Sequence, residues 1–363
     1  MSQGEDANQP GASTSGAAGQ ASGGPVRPVV HLGPSPHLVD TSLTTRRMMI
    51  DVLIGLSPVL LMAVVVFRWY AVTQVGLCVL ACMATEMVWT RLQRRPLSIG
   101  DYSAAVTGVI LGLSLPWSAP WYVVVIGSVV SIGLGKLVFG GLGYNLFNPA
   151  MVGRAFVMLS FARDLGASAY VVLEHKLFVV TRATPLSIAK QFAADLAGGK
   201  VITRDLQVQM ESAREVWPLL VGQVNGSLGE TSALALLVGG CYLLIRRTIS
   251  WEIPAGILLT AFLFVEFGYL TNITYFPPLQ HVISGSLLFG ALFIATDPVT
   301  SPLTSRGRFI FGIGIGVLVV VIRVFSSYPE GVMFAVLVMN AAVPLINRWT
   351  IPTPLGGPAA NQA

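Results

Sequence analysis

Charge is the scarcest feature of this sequence. Only 11% of its 363 residues are Asp, Glu, Lys or Arg, where a soluble domain carries about a quarter. That shortfall excludes an ordinary solvated fold. Cysteine is nearly absent too: Cys78, Cys82 and Cys241 all lie in apolar runs. Cys78 and Cys82 share a helical face, but two thiols fall short of the four ligands an iron–sulfur cluster needs. They read as buried small side chains. The histidines, His31, His37, His175 and His281, are scattered without metal-ligand spacing. No phosphate-binding Walker loop, no dinucleotide fingerprint after a strand and no hydrolase triad occurs. The net charge of +5 is no nucleic-acid signal. Most arginines sit in short loops between apolar runs, where basic residues set membrane orientation.

Long polar stretches are also missing, with one exception between residues 162 and 230. Ten apolar segments make up the rest, at roughly 48–67, 73–90, 98–115, 121–139, 149–161, 231–245, 253–270, 282–295, 309–324 and 331–346. A bilayer crossing needs roughly 20 helical residues. A periodic soluble helix would show a polar face along such lengths, and these mostly show none. The sequence predicts an all-α membrane protein of about ten transmembrane helices. Residues 1–40, rich in Gly, Ala, Ser and Pro, cannot bury enough apolar surface to offset chain entropy and read as a disordered tail. They show neither the basic start nor the small-residue cleavage site of a secretory signal. The expected organisation is that tail, a first membrane half over 41–161, a polar loop over 162–230, a second half over 231–348 and a tail over 349–363.

Orientation follows from the arginines. With a cytoplasmic N-terminus, Arg46/Arg47, Arg91/Arg94/Arg95, Arg246/Arg247, Arg306/Arg308 and Arg348 all fall on the cytoplasmic side. The opposite connections at 116–120, 271–280 and 326–330 contain no Lys or Arg. This asymmetry places the 162–230 loop outside and both termini inside. A nine-span alternative, with 149–161 re-entrant, would invert everything after it and put the Arg246/Arg247 and Arg306/Arg308 pairs outside. The halves also echo each other. Ser103-Ala104-Ala105-Val106-Thr107-Gly108 opens a short span ending at Leu115-Pro116, and Ile283-Ser284-Gly285 opens one ending at Thr296-Asp297-Pro298. Interrupted segments at matching positions point to two inverted repeats with short broken helices and a site near the midplane.

Seven motifs now resemble one family. They are Ser35-Pro36-His37, Met49-Ile50-Asp51-Val52-Leu53-Ile54-Gly55-Leu56, Gly143-Tyr144-Asn145-Leu146-Phe147-Asn148-Pro149-Ala150, Gly229-Glu230-Thr231-Ser232, Ala295-Thr296-Asp297-Pro298-Val299-Thr300, Arg306-Gly307-Arg308 and Tyr328-Pro329-Glu330-Gly331-Val332. In this order they resemble the family that unites the D subunit of the Rnf complex with the B subunit of the sodium-pumping NADH:quinone oxidoreductase. Tail length and a short N-terminal extension favour the Rnf member. The resemblance implies a bacterial inner-membrane subunit of a ferredoxin:NAD oxidoreductase that couples electron transfer to Na⁺ or H⁺ movement and is not catalytic alone. NAD and ferredoxin are then handled by other subunits. The implied partners are iron–sulfur subunits, a second periplasmic flavin subunit and membrane lipid, with no nucleic acid.

The same resemblance implies a covalent FMN, held by a phosphoester on the second residue of an Ala-Thr pair and acting as a one-electron relay. Here that residue is Thr184, in Thr181-Arg182-Ala183-Thr184. Two departures from the family pattern stand nearby: Arg182 where Gly is usual, and Phe178 where Asp is frequent. The residues alone admit another role, because a Thr before Pro185 also suits the cap of a helix starting there. A second, non-covalent flavin such as riboflavin is compatible with the family.

Four further residues are candidates for an ion pathway. Asp297 ends an apolar span and Asp101 opens one; ionisable groups near membrane depth are costly and default to function, although each also suits a helix cap. Asn145 and Asn148, before Pro149, read as an unwound turn whose amides satisfy backbone or line a cavity. Glu230 with Ser232 suits a helix start. A different function class stays open beside this one. A urea-type solute channel or transporter would use the same short paired spans and need no flavin.

Overall fold

The computed structural model describes residues 44–95, 98–165, 170–171, 179–180, 184–222, 224, 226–326 and 331–352. The 1–40 tail, Thr181, Arg182, Phe178, the Tyr328-Pro329-Glu330 motif and most of the 349–363 tail lie outside the described residues.

All ten apolar segments are helical. The first half holds α1 (Thr45–Phe67), α2 (Trp69–Leu92), α3 (Ser103–Ser114), α4 (Trp121–Ile132, continuing as a π-helical turn over Gly133–Leu137) and α5 (Pro149–Ser160). The polar loop contributes α6 (Ala162–Leu165), a two-residue antiparallel pairing of Tyr170–Val171 with Val179–Val180, α7 (Pro185–Ala197), α8 (Arg204–Arg214) and α9 (Val216–Val221). The second half holds α10 (Ala233–Ile245), α11 (Glu252–Leu270), α12 (Pro278–Ile283), α13 (Leu287–Phe289, continuing as a π-helical turn over Gly290–Ile294), α14 (Ser305–Phe325) and α15 (Val332–Thr350). Of these, α1, α2, α11, α14 and α15 are long and apolar enough to cross a membrane. The other five segments are shorter helices, one of them broken into α12 and α13. The expected third span is shortened too: a 3₁₀ turn at Ile99–Asp101 and left-handed Tyr102 (φ 62°) precede α3.

Local sequence explains where helices begin. Thr44, Asn148, Thr184, Thr203, Ser232 and Thr304 each stand just before a helix and accept a backbone N–H from its first turn, satisfying donors that lack an intrahelical partner. Pro58, inside α1, cannot donate to the Ile54 carbonyl, and the neighbouring Ser57 hydroxyl does so instead at 2.7 Å. Such local repair makes proline tolerable inside a membrane helix.

Packing repeats between the halves. Cys82 meets Ser128, and Glu86 meets Lys136, so α2 and α4 run parallel. Likewise Gly256 lies against Gly312 and Ile257 against Gly316, so α11 and α14 run parallel. Antiparallel α4 and α5 (Gly127 on Val157, Gly135 on Pro149) match antiparallel α14 and α15 (Gly314 on Met339, Thr304 bonded to Thr350). The broken entries correspond as well, with Tyr102 and Gly285 (φ 67°) both at positive φ before α3 and α13. The halves meet where α1 crosses α10 with opposite direction: Asp51 pairs with Arg246 at 3.4 Å, and a Cβ on Gly239 would overlap the Gly55 carbonyl. Small residues allow such close approach where lipid supplies no hydrophobic drive between helices. The two halves are thus inverted copies in packing.

The segment that a nine-span reading makes re-entrant does not turn back. α5 starts beside the end of α4 and finishes at Phe161, whose ring lies 5.9 Å from Tyr122 at the start of α4. The 162–230 stretch is more than a loop: Leu186, Ile188, Ala189, Leu206, Met210 and Ala213 form a small core together with Phe276 from the connection between α11 and α12.

Candidate functional site

Ends of α1, α3, α4, α5, α10 and α13 converge on one cavity. It has a volume of about 70 Å³ and is lined by Asn145, Asn148, Asp297, Thr296, Ser103, Thr107, Lys136 and Thr248 among apolar neighbours such as Met49, Val52 and Leu292. A water needs roughly 10–15 Å³ by this kind of measure, given polar partners, so the space suits several waters or a small hydrated ion. Three of the four ion-pathway candidates, Asp297, Asn145 and Asn148, share this wall. The fourth, Asp101, is one residue pair away, accepting from Ser103 N (2.8 Å) and Ser103 Oγ (2.6 Å).

Each candidate also has structural work. Asn148 caps α5, its Oδ1 accepting from Ala150 and Met151, while its Nδ2 donates 3.2 Å across the halves to Ile294 O on the π-helical turn. Asp297 accepts from Val299 N and Thr300 Oγ1, each at 3.2 Å, and so caps the turn that follows α13. Asn145 Nδ2 donates to Phe147 O, but its Oδ1 is buried without a hydrogen-bond partner among the described residues. A buried orphan acceptor on a cavity wall calls for a donor or a cation.

Sequence reasoning passed over four buried polar residues. Glu86 and Lys136 form an ion pair at 2.8 Å. Asn340 accepts from Asn148 N and donates to Thr300 O. Arg323 donates to His281 O at 2.6 Å and Ser284 O at 3.1 Å, satisfying carbonyls freed at the break between α12 and α13. A signal was present: charges and amides inside apolar runs are rare enough to be singled out one by one. Ser232 caps α10 by accepting from Ala235 N, and Glu230, two residues before it at the same helix start, also pairs with Arg154 of α5 at 3.8 Å. Gly229 N and Leu228 N donate to Leu113 O and Leu115 O, finishing the carbonyls left open at the end of α3.

Thr184 lies at the other end of the bundle. The small core that holds it is tied down where α11 and α14 finish. Arg214 donates to Tyr275 O at 2.9 Å, and Lys190 Nζ donates to Arg323 O and Ser326 O. Burial holds the Lys190 ammonium below its ordinary pKa. The same stretch reaches the start of α10, where Ser232 Oγ donates to Leu220 O, whereas Leu243, Thr248 and Ile249 at the end of α10 line the cavity, so the two sites are separated along that helix. Thr184 is half-buried and caps α7: its Oγ1 accepts from Ser187 N at 3.2 Å and sits 2.9 Å from Ser187 Oγ. The capping role read from the sequence is therefore present. A phosphoryl group on this hydroxyl would also lie at a helix N-terminus, where backbone donors and the helix dipole favour an anion. The local chemistry fits a phosphoester.

Sequence similarity gives the family. Residues 31–356 match the NQR2, RnfD, RnfE family. The chain is 40% identical over 316 residues to the D subunit of the Na⁺-translocating ferredoxin:NAD⁺ oxidoreductase complex of Acetobacterium woodii, covering 87% of this chain and 92% of that one. It is 36% identical over 327 residues to the D subunit of the proton-translocating ferredoxin:NAD⁺ oxidoreductase complex of Clostridium ljungdahlii, with 90% and 96% covered. It is 39% identical over 329 residues to the D subunit of the ion-translocating oxidoreductase complex of Stutzerimonas stutzeri, with 85% and 92% covered. A ten-segment inverted-repeat bundle with this match over most of its length belongs to the NQR2, RnfD, RnfE family.

Proposed function

We propose that this chain is the D-type membrane component of an ion-translocating ferredoxin:NAD oxidoreductase, that it carries FMN as a phosphoester on Thr184, and that Asp297, Asn145, Asn148 and Asp101 serve a cation route through the cavity. The observation that carries the reading is the separation of two sites on one inverted-repeat bundle: a half-buried hydroxyl at a helix N-terminus at one end, and a polar cavity between the halves at the other. In the proposed topology the Thr184 end faces the periplasm of a bacterial inner membrane and both termini face the cytoplasm. Iron–sulfur subunits and a second flavin subunit complete the electron path.

The flavin, when bound, supplies one- or two-electron transfer, while the protein sets its placement and potential. Thr184 would supply the bridging oxygen, and the first turn of α7 would hold the phosphate. At the cavity, Asp297 supplies negative charge beside the neutral oxygens of Asn145 and Thr296, a donor set suited to Na⁺ or to a hydrated proton. The names of the relatives include both ions, so the ion is chosen by finer features than the shared fold.

Mass spectrometry of peptides containing Thr184 from the native complex should show one added FMN-phosphoryl group, absent from Thr184→Val. Active complex with an unmodified peptide would remove the covalent flavin from the proposal. In-gel fluorescence of denatured protein separates this reading from a solute channel, which would carry no fluorophore.

A further inference from the structure

Lys136 and Glu86 sit inside the membrane-spanning part of the first half, with side chains 2% and 0% exposed. Removing two charges from water is costly, and their attraction offsets this fully only when the remaining lone pairs are also satisfied. Here they are not. Glu86 Oε1 accepts from Lys136 Nζ at 2.8 Å and from Ser98 Oγ, while Glu86 Oε2 is buried with no hydrogen-bond partner among the described residues. The pair is therefore a poor device for stability alone.

The groups around the ammonium are oxygens. Besides Glu86 Oε1, Nζ donates to Ser103 Oγ at 2.6 Å, and that hydroxyl donates onward to Asp101 Oδ1. A carboxylate with hydroxyls is the kind of donor set that hard cations take. The lysine is mounted on the π-helical turn Gly133–Leu137. Such turns within α-helices recur at functional sites, and returning one to α geometry rotates the residues beyond it by about 100°. Lys136 and Ser103 both line the cavity, so the ammonium has space beside it into which to move.

We propose that the oxygens of Glu86, Ser98 and Ser103 form a monovalent-cation site whose resident is the tethered ammonium of Lys136. A cation arriving through the cavity takes the position when Lys136 swings away, and the lysine refills it when the cation leaves. The buried carboxylate is then never left without a positive partner. This rests on the reading that cations use the cavity, and it adds the group that keeps the site filled between ions.

The test is thermal unfolding of the full chain in detergent, in NaCl against choline chloride at equal ionic strength. Lys136→Met vacates the site, so its Tm should rise by several degrees in NaCl, because a ligand that binds only the folded state stabilises it. The parent, with the site filled by its own lysine, should show no such difference. The double variant Glu86→Gln/Lys136→Met, which removes both charges, should fold and show none either. If Lys136→Met melts alike in both salts, or folds in neither while the double variant folds, the pair is structural and the proposal is overturned. A Na⁺ shift that persists in the double variant places the site elsewhere and overturns it too. The measurement needs no electron transfer, so a Na⁺ shift in Lys136→Met together with an intact complex that moves no cation would sink the functional reading and leave this site standing.

Discussion

Asn148 and Asn340, 192 residues apart, meet across the two halves: the Asn148 backbone N–H donates to Asn340 Oδ1 at 3.3 Å, and Asn340 Nδ2 passes the contact on to Thr300 O at 2.9 Å. This chain joins the unwound start of α5 to the turn that Asp297 caps. Asn340 is 1% exposed, so bulk water does not replace its bonds. Asn340→Ala would leave the Asn148 N–H and the Thr300 carbonyl without these partners, at a cost of about 1–3 kcal/mol. Thermal unfolding in detergent should show a lower Tm. A variant melting with the parent would mean the two halves are held at this point by packing alone.

Asp297 is expected to matter more for ion coupling than for folding. Asparagine keeps one carbonyl oxygen able to accept from Val299 N or Thr300 Oγ1, so the turn survives while the charge is lost. Asp297→Asn should therefore assemble near normally yet slow electron transfer or abolish its dependence on the coupling ion. Assembly together with parental pumping would reduce Asp297 to a helix cap.

Topology can be read with reporters that are active only in the periplasm. A fusion after Ala197, in the Thr184 end of the molecule, should be active, and one after Arg247 should be silent. The reverse pattern would invert the bundle and place the proposed flavin on the cytoplasmic side.

Close helix contacts predict which small residues tolerate a methyl group. A Cβ on Gly153 would overlap Ser131 Oγ and the Gly127 carbonyl, whereas a Cβ on Gly76 meets nothing within 4 Å among the described residues. Gly153→Ala should lower stability by about 1–3 kcal/mol, the usual cost of overpacking. Gly76→Ala should be neutral or slightly stabilising, since alanine favours a helix over glycine. Equal melting of both variants would show that α4 and α5 are not packed this tightly.

The ten apolar runs and their caps were legible in the chain because both depend on neighbours in sequence. Thr184 before Pro185 and Ser232 before Ala233 stand directly before the helices they cap, and scarcity of charge left the apolar runs no soluble alternative. The arginine asymmetry is likewise a matter of position along the chain, and the shortened spans near Leu115-Pro116 and Thr296-Asp297-Pro298 announced the paired breaks. Two inverted copies followed as an expectation. What the sequence by itself could not decide was which buried groups meet. Glu86 and Lys136 are 50 residues apart and Asn148 and Ile294 are 146 apart, separations at which no local pattern specifies a partner. Glu230 reads in the sequence as part of a helix start, and only packing adds its partner Arg154 of α5, 76 residues away in the chain. The cavity belongs wholly to tertiary structure, since its walls come from both halves, and Asn148 is held across them by Ile294 O and Asn340.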